Sequence, residues 1–365
     1  MGKITFVEDE TPVEINPIFA KIIEKEYGKD LIVSGKFVLE RSRVVIPISP
    51  SVDIGLNGGV PEGSWVSFSG DEKCGKTTLA LTLAANAQKK EYGSKIVFYI
   101  DIEGRLKPLN LQGIAGLDVD AVQVVRSIQG KILSGEEFMT ITSNVIKNHP
   151  GCVVIIDSIS SLCSDKELTG DITSSGRVLG PKIMAAFTRQ MSNVVPVQDT
   201  ILISIKHLIA NTSGFGAPKM EDGGRKVKYQ GDVALKCKRV KPWEAGDKRI
   251  GQKTEWDVLY SALGPPGAKI TSYIRYGIGV DKTRELFNIG EEFGLITKPA
   301  KGAWYTCDYL RDEIENVASV ADYFKESGKK KDKSFLYQGE EKLLSFLNEH
   351  PHFLKMLEDN IRDML

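Results

Sequence analysis

The chain repeatedly switches between short unbroken apolar runs and stretches of helical spacing. From about Ile46 to Gly290 the runs WVSFSG, IVFYID, VVRSI, CVVIID and TILISI alternate with helix-like segments, the first of which starts at Lys76. Such runs predict strands buried on both faces, hence an α/β core with a mostly parallel sheet flanked by helices. Ahead of it, Phe19, Ile22 and Ile23 recur at helical spacing between Pro17 and Tyr27, Gly28 ends the helix, and Leu31, Ile32 and Val33 predict a short strand. This helix–strand arm has little to pack on by itself; it either seeks another surface or adds to the chain's own sheet. After Gly290 come GLITKPAKGAWY, a charged spacer through GKKKDK, and a helical pattern from Glu340 to Leu365. The expected division is therefore an arm at 1–45, a core at 46–290 and a small C-terminal domain at 291–365.

Two irregular stretches interrupt the core. Asp165 to Arg177 is polar and turn-rich, and Asn211 to Arg225 is richer in glycine. Structureless loops of this length inside a compact domain are usually functional or disordered. There is no 20- to 50-residue repeat, which argues against a solenoid.

Composition narrows the classes. With 365 residues, 41% hydrophobic and 26% charged, the chain is long enough for two domains and unlike disordered, collagen-like or disulfide-scaffold proteins. The 48 basic and 48 acidic side chains cancel, so any affinity for nucleic acid must come from local clustering. Such a cluster exists: from Lys206 to Lys241, nine lysines and arginines face Glu221, Asp222 and Asp232. It is either a solvated face or a track for a phosphodiester chain. The odd number of cysteines and the lack of a close CxxC pair point to reduced thiols in a cytoplasmic protein. No apolar run approaches the ~18 residues of a membrane span, the N-terminus turns acidic where a signal peptide becomes apolar, and Phe6 stands where myristoylation needs Ser or Thr.

The candidate chemistry begins at Gly70. Gly70, Asp71, Glu72, Lys73, Cys74, Gly75, Lys76 and Thr77 match G-x-x-x-x-G-K-[ST] between a strand and a helix, with Thr78 next. Glycines let backbone N–H groups turn around phosphate oxygens, and the helix N-terminus adds its positive dipole end. Lys76 is then expected to reach the outer phosphates and Thr77 to ligate Mg2+, with Asp157 at the end of CVVIID as the second metal-holding group. Glu103, two residues beyond the end of IVFYID, is a candidate general base. His207, at the end of TILISI, is either a strand-end histidine held by hydrogen bonds or a polar group that touches the γ-phosphate and passes its presence to the second long stretch.

In this order, EKEYGKDLI, SVDIGLNGGVPEGSWVSFSGDEKCGKTT, YIDIEG, VVIIDSISSL and DTILISIKH resemble the RecA recombinase family, particularly its bacterial and phage members. The resemblance implies a phosphate-loop core binding ATP and Mg2+, a polymerisation arm whose Ile32 plugs into the next subunit, and a small C-terminal α+β domain. It implies a DNA-dependent ATPase that forms filaments on single-stranded DNA and pairs it with duplex, with single-strand-binding and loading proteins as further partners. Glu103 and His207 fall at the family's catalytic and γ-phosphate-sensing positions. Arg177, Lys182, Arg189, Lys219, Gly223, Gly224, Arg225 and Lys226 fall in or beside its DNA-binding loops. Three features depart from the pattern. A base-stacking tyrosine is absent near LKPLN, the first loop is one residue longer, and Tyr260 and Ala262 stand where cations reach the neighbouring nucleotide, with Lys269 close by in sequence. The same core also suits a ring-forming helicase or translocase, and the departures at Tyr260 and Ala262 suit a nucleotide-switched scaffold.

Overall fold

A computed structural model describes residues 16–170, 179–210, 219–221, 231–299, 302–328 and 334–365. The chain divides into two compact units, Met1–Arg43 and Val44–Leu365. The first holds helices α1 (Pro17–Tyr27) and α2 (Gly35–Glu40). Asn16 caps α1 by accepting from the Ile18 N–H, and Gly28 ends it at a φ of +114°. The strand expected at Leu31–Val33 does not form; among its described residues this unit has no strand. A lone strand has no backbone to pair with here, whereas Ser34 accepts from the Phe37 N–H and starts α2 instead.

In the second unit β1 (Val45–Ile46) and β2 (Val60–Pro61) form a ribbon around α3 (Pro50–Leu56). The main sheet contains β3 (Trp65–Gly70), β4 (Val97–Asp101), β5 (Val122–Arg126), β6 (Val153–Asp157), β7 (Ile201–Ala210) and β8 (Lys219–Glu221). It continues with β9 (Val233–Ala245), β10 (Lys248–Tyr260), β11 (Lys269–Arg275) and β12 (Gly279–Val280). The order across it is β12-β11-β10-β9-β3-β7-β6-β4-β5, with β8 pairing β7. From β9 to β5 every pairing is parallel, and β9 to β12 are antiparallel. Every residue of β3 and β4 is buried, as continuous apolar runs require, while β10 alternates buried and less buried positions.

Helices α4 (Lys76–Ala87), α5 (Pro108–Gln112), α6 (Gly135–Asn148), α7 (Asp165–Thr169), α8 (Gly180–Met191) and α9 (Val194–Val197) link these strands. On one face Leu79 and Leu83 of α4 join Val66, Phe68, Tyr99, Ile155 and Ile203. On the other Phe138 of α6 and Met184 and Phe187 of α8 join Trp65, Ile100, Val154 and Ile156. Each such side chain contributes about 1.5–3 kcal/mol of burial, so both faces hold the strand ends rigid.

Three features differ from expectation. The first irregular stretch opens with α7, because Ser164 and Glu167 cap its first turn reciprocally. Within the second, Lys219–Glu221 pairs antiparallel with β7; residues 171–178, 211–218 and 222–230 lie outside the described ones. The third is the hairpin of β9 and β10, 13 residues in each strand, which turns at Gly246 with a φ of +59°. Its alternating charges conceal a strand pattern that only cross-strand pairing completes.

Towards the C-terminus β13 (Ile296–Thr297), β14 (Trp304–Cys307) and β15 (Leu336–Gln338) form an antiparallel sheet. Helices Glu340–Glu349 and Pro351–Asp363 pack Phe346, Phe353 and Leu357 into one core with Leu286 and Phe287 of helix Lys282–Glu292, which runs through Gly290. The five cysteines are thiols, buried except for half-buried Cys163.

Candidate nucleotide site

The loop after β3 is drawn tight around two glycines. A Cβ on Gly70 would lie 2.7 Å from Cys74 Sγ and 2.8 Å from Cys237 Cβ; one on Gly75, where φ is +97°, would lie 2.2 Å from Ile274 Cδ1. Lys73 takes a φ of +58°, a left-handed turn of the kind from which concave runs of backbone amides are built. Lys76 is 4% exposed, and its ammonium donates to the carbonyls of Gly70 at 3.0 Å and Asp71 at 2.7 Å. A hydrogen bond with Cys237 draws the Cys74 thiol down to about 7 against the effect of burial, with help from the Lys76 charge.

Behind the loop, Thr77 Oγ1 donates to Asp157 Oδ2 at 2.8 Å and Tyr99 Oη donates to the same oxygen at 2.5 Å. Burial raises the Asp157 carboxyl above its ordinary range, against those two donors. Burial, then the Asp157 charge, push the Tyr99 phenol far up, so it stays a donor at any working pH. The pairing of β4 with β6 sets Asp101 beside Asp157. Asp101 accepts from the N–H groups of Arg105 at 3.1 Å and Leu106 at 3.2 Å, shaping the turn that carries Glu103.

Glu103 Oε1 accepts from Ser158 Oγ at 2.7 Å and Ser161 Oγ at 3.0 Å, and meets His207 Nε2 at 2.8 Å. Burial alone would raise this carboxyl, but hydrogen bonds from Ser158, His207 and Ser161 outweigh it and hold Glu103 below the usual glutamate range. The His207 N–H donates to Ser160 Oγ at 2.9 Å, and its Nδ1 is buried without a partner among the described residues. The tautomer with its proton on Nε2 satisfies the Glu103 contact and leaves no buried Nδ1–H unpaired. Parallel pairing of β3 with β7 aligns Gly70 with His207, so the phosphate loop and this histidine share one sheet edge.

Lys76, Thr77, Tyr99, Asp101, Glu103, Asp157 and His207 line a cavity of about 540 Å³ that also touches Thr78, Arg105, Asn110, Gln252, Ile274 and Tyr276. Gln252 Nε2 donates to the Lys73 carbonyl at 3.1 Å, so β10 supports the loop directly. The structure thus gathers Lys76, Thr77, Thr78, Glu103, Asp157 and His207. Sequence reading missed Tyr99, Ser158, Ser160, Ser161, Gln252 and Tyr276. Two of these signals were present: a tyrosine in an aliphatic strand two residues before Asp101, and three serines directly after Asp157. Gln252 and Tyr276 carried none, since β10 and the turn after β11 bring them in.

The expected nucleic-acid residues stand apart. Lys182 and Arg189 are exposed on α8, two turns apart on one face. Lys219 is described only as backbone of β8, and Arg177, Gly223, Gly224, Arg225 and Lys226 lie outside the described residues. Lys206 does not belong to a basic surface: it is 2% exposed within β7. Lys238 pairs with Asp257 at 3.2 Å and Lys241 with Glu255 at 3.6 Å, carboxylates that β10 brings alongside β9. Ile32 lies in the first unit and is 41% exposed. Among the described residues no helix is long and apolar enough to cross a membrane.

A phosphate loop on a mostly parallel sheet, with acids on adjoining strand ends, defines a phosphate-loop nucleotide hydrolase. The chain belongs to the RecA family: the RecA N-terminal domain matches residues 15–281. It is 28% identical to "Protein RecA" of a Nitratiruptor species, over 94% of this chain and 90% of that one. It is 30% identical to "Protein RecA" of Acholeplasma laidlawii, over 94% of each. With "Protein RecA" of a Nocardioides species the identity is 30%, over 94% of this chain and 89% of that one. Membership makes the chain a recombinase of the DNA-dependent ATPase class.

Proposed function

We propose that the cavity binds ATP with Mg2+, and that its hydrolysis governs a filament on single-stranded DNA which pairs that strand with duplex. The observation that carries this reading is the 2.8 Å contact between Glu103 and His207, because it ties the candidate base to the strand leading into the 211–225 stretch. Backbone amides of the 70–75 loop and of Lys76 to Thr78 cradle the phosphates. Lys76 swings its ammonium from the loop carbonyls to the outer phosphates. The hard oxygens of Thr77 and Asp157 suit Mg2+, Asp157 acting through water. Bound Mg2+ supplies charge neutralisation at the phosphate oxygens. Glu103 orients the attacking water, and His207 exchanges its bond to Glu103 for the γ-phosphate, coupling nucleotide state to the DNA-binding stretch. Tyr276 offers the base an aromatic wall in place of the one absent near LKPLN.

DNA is held by Lys182 and Arg189 together with Arg177, Lys219, Gly223, Gly224, Arg225 and Lys226. Residues 1–45 serve self-association through Ile32, 46–290 carry ATP and DNA, and 291–365 form an accessory domain. The protein works in the cytoplasm, with single-strand-binding and loading proteins as partners. The test is phosphate release with and without single-stranded DNA, with electron microscopy of the same samples. Stimulation together with open helical filaments is expected; closed rings, or filaments without turnover, overturn the reading.

A further inference from the structure

The Asp157 carboxylate has two oxygens, and the structure treats them differently. Oδ2 receives both Thr77 Oγ1 and Tyr99 Oη, at 2.8 and 2.5 Å. Tyr99 reaches it from the neighbouring strand, where its backbone is aligned with Ile155, two residues before Asp157. The ring is 2% exposed and packs in the core that α4 shares with the sheet. A hydroxyl on so tightly held a ring has one position to offer. A phenylalanine would fill almost the same volume, so packing alone does not call for the oxygen, and burying it is costly unless it is bonded. Its bond goes to the acid that faces the phosphate loop.

We propose that Tyr99 is a positioning residue: with Thr77 it saturates Oδ2 of Asp157 and leaves Oδ1 to hold the water of the divalent ion. The proposal rests on the reading of the cavity as a magnesium–nucleotide site. The Thr77 proton is committed to Asp157, so the lone pairs of that hydroxyl remain available to a cation. Without the phenol, Oδ2 keeps one donor and the carboxylate can exchange its oxygens, so the arrangement that receives the ion is populated for less of the time. Partners of this kind orient metal-holding groups, and their loss typically costs 10- to 100-fold in metal affinity or activity.

The test is Tyr99→Phe in the full-length protein, read by binding of a fluorescent ATP analogue as Mg2+ is titrated, without recourse to turnover. The half-saturating Mg2+ concentration is expected to rise about tenfold, while binding of the analogue without Mg2+ stays unchanged. In an Asp157→Asn background the same replacement is expected to add nothing, because Tyr99 acts through that carboxylate. A lowered melting temperature with an unshifted Mg2+ titration would leave Tyr99 a purely structural role and overturn the proposal, as would an equal shift in both backgrounds. If the unmodified protein binds the analogue with no dependence on Mg2+, the reading of the cavity fails first, and the proposal with it.

Discussion

In the cavity, the functional side chains lean on one another: Thr77 and Tyr99 on Asp157, and Ser158, Ser161 and His207 on Glu103. In the N-terminal unit the reverse holds. No residue of α1 or α2 is buried, and Phe19, Ile22 and Ile32 remain 52%, 47% and 41% exposed. A polar group taken from water must find a partner within the fold, so the cavity is closely bonded and its variants should read out in chemistry. Apolar side chains left in water each forgo about 1.5–3 kcal/mol of burial, so variants of the arm should read out in assembly.

The largest effect is expected at Lys76. Lys76→Ala should lower DNA-stimulated ATP hydrolysis by more than about 100-fold, because it removes the charge nearest the phosphates; full retention of phosphate release would mean that the chemistry lies elsewhere. Glu103→Gln should reduce turnover by about 10²–10⁴-fold while nucleotide binding, followed by fluorescence, persists. Ile32→Asp sharpens the other side of the contrast. Calorimetry should show stability unchanged to within about 0.5 kcal/mol, while electron microscopy shows shortened filaments; a large loss of stability would place Ile32 in an intrachain core. The smallest effect is expected from Ser161→Ala. A depressed carboxyl stays ionised to lower pH, so removing one of the donors that depress Glu103 should move the acid limb of the ATPase profile to higher pH. A limb that stays in place would show that Ser161 does not tune the base.

The central strands and the phosphate loop were legible because their signals are local. A run such as CVVIID is continuous in sequence, and the spacing from Gly70 to Thr77 is itself the constraint that bends backbone around phosphate. The arm was half legible: its first helix carries apolar spacing and a glycine stop, but Leu31 to Val33 had to find a strand partner, and Ser34 started α2 instead. Three members of the basic cluster, Lys206, Lys238 and Lys241, were misjudged for a related reason. Counting charges along the chain placed Lys206 on a surface it does not reach, and overlooked Glu255 and Asp257, which arrive from the adjacent strand.

The sequence by itself determined the α/β core, the phosphate loop and the choice of Lys76, Thr77, Glu103, Asp157 and His207 as candidates, which the fold brings to one cavity, because each is marked by a short-range pattern. Tertiary structure decided how they are held: that Tyr99 and Thr77 share one oxygen of Asp157, that three donors converge on Glu103, and that Gln252 of β10 and Tyr276 in the turn after β11 border the cavity. Those contacts join residues tens to hundreds of positions apart. Their geometry follows from strand order and register, which hydrophobic periodicity constrains without specifying.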